Sequence, residues 1–138
     1  MGIQETLVID NEPLELGRAA NWLDSLVGEA AWSPRMLATL HVALEEALTN
    51  IMLHAYRDLE THKIEIRFSA DGSGATLELL DDGCPFDPTH HEPPPANASV
   101  QDRPGGLGVA FIRRLMDEIT YQRMDGRNHL TLRKSVPP

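Results

Sequence analysis

The sequence predicts an α/β fold: a two-layer sandwich in which a mixed, mostly antiparallel sheet is covered by helices on one face. Two observations predict it. The hydrophobic pattern runs in the order strand, helix, helix, two strands, long loop, helix, two strands. The strands come largely as hairpins, which favours antiparallel pairing with the helices gathered on one side. A chain of 138 residues has the size of one domain, so we expect residues 1–138 to form a single domain.

The first half of the chain predicts an edge strand followed by two helices. Residues 6–10 alternate weakly between apolar and polar. A helix then opens at residues 11–13 (Asn-Glu-Pro), where the first two positions are candidate caps, and it ends at Gly28. The Ser-Pro pair at 33–34 starts a second helix, and residues 36–56 carry a long helical pattern. Its apolar face consists of Leu37, Leu40, Leu44, Leu48 and Ile51.

Two hairpins are predicted in the second half. Residues 63–68 alternate with period two, a turn follows at 71–74, and the strand returns over 76–80. A second pair, residues 119–123 and 129–133, surrounds an Asp-Gly turn. Each pair predicts two adjacent antiparallel strands.

A long loop separates the two hairpins. Residues 83–104 hold six of the ten prolines and almost no apolar periodicity. A loop of this length in a compact domain is usually functional or disordered. A helix follows it, with apolar positions at 109, 112, 115 and 116, and it opens on Gly105, Gly106, Leu107 and Gly108.

Composition disfavours several classes of partner. Twelve Lys and Arg against twenty-one Asp and Glu give a net charge of −9, which disfavours nucleic acid and anionic membrane surfaces. No apolar run approaches the ~20 residues that a membrane span needs, and we expect no signal peptide. The lone Cys84 cannot form an internal disulfide and fits a reducing compartment. We therefore expect a cytoplasmic protein.

The first candidate cluster lies on the long helix. At about 100° per residue, Glu46, Asn50 and His54 form a polar row, whereas Glu45 points away from it. A carboxylate and a carboxamide one turn apart can bind an oxygen-loving cation or position a nucleophile. The alternative is an ordinary solvated helix flank.

Two further clusters contain glycine. Asp81, Asp82 and Gly83 follow a strand, and a carboxylate at this point can accept hydrogen bonds from an exocyclic amine. A plain Asp-Gly turn is the alternative. The glycines of residues 105–108 open a helix, where unobstructed backbone amides can bind an anion. They match neither a Walker loop nor the G-x-G-x-x-G spacing, so a flexible hinge is the alternative there.

Taken together and in this order, the motifs resemble the Bergerat-fold ATPase domains shared by gyrase, the Hsp90 chaperone, histidine kinases and MutL. The likeness is greatest to the small anti-sigma-factor serine kinases that act on STAS-domain antagonists in bacterial partner switching. Residues 44–50 (Leu-Glu-Glu-Ala-Leu-Thr-Asn), followed by 54–56 (His-Ala-Tyr), resemble the N box. Residues 81–88 resemble the first glycine box and residues 105–108 the second, although Pro85 stands where the first box usually has another glycine.

The resemblance implies a role for each matching residue. Asn50 would bind a Mg²⁺ ion that bridges the ATP phosphates, and Glu46 would be the general base that deprotonates a substrate serine. His54 would belong to the same nucleotide-binding row. Asp81 would accept the adenine amino group, with Gly83 allowing the base to approach.

The resemblance also implies roles for the remaining boxes. Gly106 and Gly108, with their neighbours Gly105 and Leu107, would present backbone amides to the phosphates. Residues 87–104 would form an ATP lid, from which Arg103 would reach the phosphates. Thr131, on the last strand, would support the adenine site.

The implied function is that of an ATP- and Mg²⁺-dependent serine/threonine protein kinase acting as an anti-sigma factor. Its partners would be a STAS-domain antagonist, which it phosphorylates, and a sigma factor, and it would be a homodimer. The alternative is a non-catalytic ATP- or ADP-binding module that sequesters a protein partner. The catalytic half of a split two-component sensor fits less well, since no helical hairpin with a phospho-acceptor histidine precedes the ATP motifs.

Overall fold

The computed structural model describes residues 2–28, 32–88 and 112–136. In the described residues the chain forms five strands and two long helices, with a further helical turn at residues 112–115. In chain order these elements are β1 (Ile3–Asp10), α1 (Glu15–Val27), α2 (Pro34–His54), β2 (Lys63–Asp71), β3 (Gly74–Asp81), β4 (Glu118–Met124) and β5 (Arg127–Ser135).

The five strands form one sheet in the order β1-β2-β3-β5-β4. Every neighbouring pair is antiparallel, so the predicted α/β class is confirmed and the described sheet contains no parallel pair. Tight turns join β2 to β3 and β4 to β5, and a turn of two residues can only join antiparallel strands. The two predicted hairpins are therefore correct.

The core lies between one face of the sheet and the two helices. Alternate residues of β2 and β3 point to this face, as the period of two requires. The buried side chains that meet there include Leu23, Leu40, Leu44, Leu48, Ile64, Ile66, Phe68, Leu77 and Leu79. Trp22 of α1 contacts the ring of Phe68 edge-on, with 6.5 Å between the ring centroids. Both helices thus cover the same face, as the sequence predicted.

Helix α2 is the central helix of this core. The Ser33 side chain accepts a hydrogen bond from the Met36 N–H at 3.1 Å, and Pro34 occupies the first turn, where its missing N–H costs nothing. By length and composition α2 could cross a membrane, but half of its most apolar stretch is buried inside the fold. We therefore assign α2 as the core helix of the sandwich.

The predicted start of the first helix is wrong. Helix α1 begins at Glu15, and no side chain caps its first turn. Asn11 instead pairs with His62: its backbone N–H donates to the His62 carbonyl at 2.9 Å, and its side-chain oxygen accepts from the His62 N–H at 2.9 Å. This long-range pairing extends the contact between β1 and β2, and β1 itself begins at Ile3 rather than at residue 6.

The difference in burial between two leucines predicts a large loss of stability on truncating one and almost none on truncating the other. Leu77 is fully buried, whereas Leu59 is fully exposed. We expect Leu77→Ala to lower the free energy of unfolding by about 2–5 kcal/mol, because it removes buried methyl groups and leaves a cavity. The matched control Leu59→Ala should change it by less than about 0.5 kcal/mol. Urea unfolding followed by circular dichroism measures both, and equal effects would contradict the assigned core.

Candidate functional site

A partly open cavity lies between α2, the end of β3 and the β4–β5 hairpin. Among the described residues, its polar lining consists of Asn50, Asp81, Tyr121 and Asn128, and the rest of the lining is apolar. An apolar cleft with a few convergent polar groups is typical of small-molecule sites. The structure thus brings two of the predicted site residues, Asn50 and Asp81, to one cavity from distant parts of the sequence.

Helix α2 supplies one wall of the cavity. Asn50 is 6% exposed and lines the cavity together with Ala47. Glu46 lies one turn earlier, is half-buried, and is not among the described lining residues. His54, one turn later, packs on the ring of Phe86, with 5.6 Å between the ring centroids. Asn50 therefore reaches the cavity directly, while Glu46 and His54 flank it along the helix.

Asp81 is the last residue of β3 and is 2% exposed. Its Oδ1 accepts hydrogen bonds from the Gly83 N–H at 2.9 Å and from Nδ2 of Asn128 at 2.8 Å. Burial raises the pKa of the Asp81 carboxyl, and these two hydrogen bonds act in the opposite direction. Asp81 is therefore a buried carboxyl with one oxygen held by two protein donors.

Asn128 is a site residue that the sequence analysis missed. It lies directly opposite Asp81 in the register of β3 and β5 and is 4% exposed. Its side chain contacts Asp81, the Cys84 carbonyl, Tyr121 and Arg123. A signal was available, because Asn128 shares the alternation that places Leu130 and Leu132 in the core.

The expectation that Thr131 supports the adenine site is wrong. Thr131 pairs with Glu78 on β3 and with Thr120 on β4, and it lies on the open face of the sheet beside Arg67. Successive side chains of a strand point to opposite faces, so Thr131 faces away from the cavity that Asn128 lines.

Gly83 lies in a close backbone contact that the sequence did not indicate. A Cβ at Gly83 would lie 2.4 Å from the Ala55 carbonyl oxygen, just beyond the end of α2. The next residue, Cys84, donates its N–H to the same oxygen at 2.6 Å. The glycine therefore allows the segment after β3 to pack directly against the end of α2.

A cluster of side chains around His62 connects the loop after α2 to the segment that follows β3. Nε2 of His62 lies 2.8 Å from a carboxylate oxygen of Asp58, and its Nδ1 lies 3.3 Å from Asp82. The ring also stacks on Tyr56 at 4.4 Å. The hydrogen bond to Asp58 raises the pKa of His62 and lowers that of Asp58. His62 thus links the loop after α2 to Asp82 in the segment after β3, a contact that no sequence spacing indicated.

Several predicted site residues fall outside the part of the chain that the structure describes. These are Arg103, Gly105, Gly106, Leu107 and Gly108, together with all of the predicted lid except residues 87 and 88. Pro88 and Ile112, the residues on either side of this gap, both line the cavity.

Residues 9–134 match the histidine kinase-like ATPase domain family, and the chain belongs to that family. Within it, the chain is similar to the serine/threonine-protein kinase BtrW of Bordetella bronchiseptica, with 36% identity over 121 residues that cover 87% of this chain and 85% of the relative. It is also similar to the serine-protein kinase RsbW of Oceanobacillus iheyensis, with 30% identity over 83% of this chain and 76% of that one. The family predicted from the three motifs is confirmed.

A solved structure supports the same fold. The RsbU and RsbW domains of a Mycobacterium tuberculosis protein superpose on 97% of this chain with a TM-score of 0.63 and 16% identity. This chain spans about a third of that protein, so the likeness concerns the fold of one of its parts.

Gly83 and Gly72 provide a matched test of the contact with α2. Gly83→Ala should lower the free energy of unfolding by about 1–3 kcal/mol, because its Cβ would overlap the Ala55 backbone. Gly72→Ala should have little effect, since nothing lies within 4 Å of its added Cβ. Urea unfolding of both variants measures the difference. Equal stability would show that the close approach to Ala55 does not constrain this position.

Proposed function

We propose that this chain is an ATP-dependent serine/threonine protein kinase that acts as an anti-sigma factor and phosphorylates a STAS-domain antagonist. The observation that carries the proposal is the arrangement around α2. This helix presents Asn50 to the cavity that also holds Asp81, and it carries Glu46 one turn earlier. Membership of an ATPase family and similarity to proteins named serine or serine/threonine kinases support it.

The adenine ring would lie in the apolar part of the cavity. Asp81 would accept a hydrogen bond from the exocyclic amino group, and Asn128 and Gly83 hold that carboxyl in place. The backbone amides of residues 105–108 would bind the phosphates, with Arg103 reaching them from a lid of residues 87–104. A buried acceptor among apolar walls fits a flat heterocycle that carries an amine.

The side-chain oxygen of Asn50 is a type of ligand that suits Mg²⁺. Mg²⁺ usually takes one or two protein oxygens and completes its shell with water and substrate phosphates. Asn50 would supply its side-chain oxygen from the cavity wall. When bound, the ion would neutralise the charge on the transferred phosphoryl group.

The chain's own residues would then orient the reactants and move one proton. Phosphoryl transfer depends on positioning and charge neutralisation more than on covalent chemistry. Glu46 would accept the proton of the attacking serine hydroxyl. His54, packed on Phe86, would keep the end of α2 against the segment after β3.

We also propose the cellular setting. The protein would act in the cytoplasm as a homodimeric single domain that also binds a sigma factor. The net charge of −9 and the single cysteine support a protein that avoids nucleic acid and membranes in a reducing compartment.

The position of Glu46 favours one alternative function. Because Glu46 is not among the described residues that line the cavity, the site could bind nucleotide without a base acting on it. The chain would then be a regulatory module in which ATP or ADP sets the shape of a partner-binding surface. Transfer of phosphate to the partner separates the two functions.

Asp81→Asn tests nucleotide binding. The new side chain can keep an oxygen toward Gly83 and Asn128 but offers the ligand a donor in place of an acceptor. We expect Mg-ATP affinity to fall at least about tenfold, since hydrogen bonds to charged groups contribute about 1.5–3 kcal/mol. Asp82→Asn, at the exposed neighbouring carboxylate, should bind ATP as the wild type does. Titration calorimetry measures all three proteins, and wild-type binding that survives Asp81→Asn would contradict the assigned acceptor.

Glu46→Gln tests catalysis. Removing the base should slow phosphate transfer by about 10²–10⁴-fold while leaving ATP affinity unchanged. The matched control is Glu45→Gln, because Glu45 is exposed on another side of α2. Radiolabelled ATP and a STAS-domain protein recovered with the chain from its host provide the assay. Transfer that is unaffected by Glu46→Gln would rule out Glu46 as the base, and wild-type ATP binding without transfer would favour the regulatory module.

A further inference from the structure

The side-chain amide of Asn128 is held in one orientation by five neighbours. Its Oδ1 accepts from the Tyr121 hydroxyl, from a guanidinium nitrogen of Arg123 at 3.1 Å and from the Phe86 N–H at 3.4 Å. Its Nδ2 donates to Oδ1 of Asp81 and to the Cys84 carbonyl, both at 2.8 Å. The amide is therefore surrounded by donors on one side and acceptors on the other.

The opposite orientation of this amide would break four of these five hydrogen bonds. Arg123 and a backbone N–H can only donate, while a carbonyl and an ionised carboxylate can only accept; the Tyr121 hydroxyl alone can do either. A flipped amide would place its NH₂ group against Arg123 and its oxygen against Asp81. Because Asn128 is buried, water could not replace the lost bonds, and each unsatisfied group would be costly. Arg123 and the Phe86 N–H therefore fix which atom faces Asp81.

The atom that faces Asp81 decides what Asp81 can offer a ligand. With an N–H donor from Asn128 and a second from Gly83, Oδ1 is satisfied as a carboxylate oxygen, and Oδ2 stands outside these two bonds. Burial and the charge of Asp82 favour the protonated form, whereas Arg123 and the two donors favour the ionised one. The nearby Tyr56 phenol stays neutral, because burial and the negative charges of Asp81 and Asp82 raise its pKa.

We propose that Asn128, oriented by Arg123 and the Phe86 N–H, is a positioning residue that keeps Asp81 a hydrogen-bond acceptor and so selects a 6-amino purine nucleotide over a 6-oxo one. A carboxylate accepts from the amino group of adenine, but it repels the carbonyl oxygen that guanine carries at the same position. A protonated carboxyl would donate instead and would lose this preference. The inference rests on the proposed nucleotide site and names what sets its choice of base.

The test compares ATP and GTP binding at several pH values. Asn128→Asp has nearly the same shape but replaces the donor with a second carboxyl, which shares a proton with Asp81. Arg123→Met removes a donor-only neighbour of the amide oxygen and does not alter a described residue that lines the cavity. Thr120→Val is the control. Thr120 also lies on β4, but it is exposed and pairs with Thr131 on the open face of the sheet. Titration calorimetry with Mg-ATP and Mg-GTP between pH 6 and pH 8.5 gives the affinity ratio for each protein.

We expect Asn128→Asp to reduce the ratio of ATP to GTP affinity at least tenfold, and most strongly at pH 6. Arg123→Met should reduce it about threefold, and Thr120→Val should leave it unchanged. Loss of stability alone would weaken both nucleotides and would leave the ratio and its pH profile as in the wild type. If the Asn128→Asp protein does not fold, Arg123→Met alone decides the question.

Two outcomes separate this inference from the proposed function. ATP binding in the wild type with an unchanged ratio in the folded variants would overturn the role of Asn128 and leave the nucleotide site standing. A wild-type protein that binds neither nucleotide would overturn the proposed function, and the selectivity with it.

Discussion

The pairing of two buried polar side chains, Asp81 and Asn128, is the constraint on which the cavity depends. A buried carboxyl without partners would cost several kcal/mol, and the structure avoids this cost by placing β5 so that Asn128 lies opposite the end of β3. The same amide holds the Cys84 carbonyl and receives Tyr121 and Arg123 from β4. One hydrogen-bonded set therefore fixes the β4–β5 hairpin, the segment after β3 and one wall of the cavity together.

Helix α2 connects this polar set with the apolar core. Its leucines pack on the sheet, and this packing fixes the rotation of the helix about its own axis. Because the helix repeats every 3.6 residues, the same rotation sets where Asn50 and Glu46 lie. At the end of α2, the close contact of Gly83 with Ala55 determines how near the segment after β3 approaches. The positions of Asn50 and Glu46 are thus a consequence of core packing.

Much of the fold could be predicted from period and turn chemistry. The hairpins at residues 71–74 and 125–126 and the Ser33 cap are local features, and each was predicted correctly. Asn11 was misassigned as a helix cap because its partner, His62, lies 51 residues away in the sequence. Thr131 was placed in the site although the alternation of β5 turns it to the other face.

By itself, the sequence determined the fold class and the family, because helix periodicity, turns and the three boxes lie in short stretches of chain. It also made Glu46, Asn50 and Asp81 candidates for roles that stay predictions. Only the tertiary structure decided which groups surround Asp81. Asn128, Tyr121 and Arg123 reach it through the register of β3 with β5 and of β5 with β4. The local Asp-Gly turn fixes the register of β5 with β4, whereas β3 and β5 are distant in sequence and pair through the packing of the sheet against α1 and α2. The alternation of β5 could therefore indicate that Asn128 is buried, but no local pattern could place it opposite Asp81.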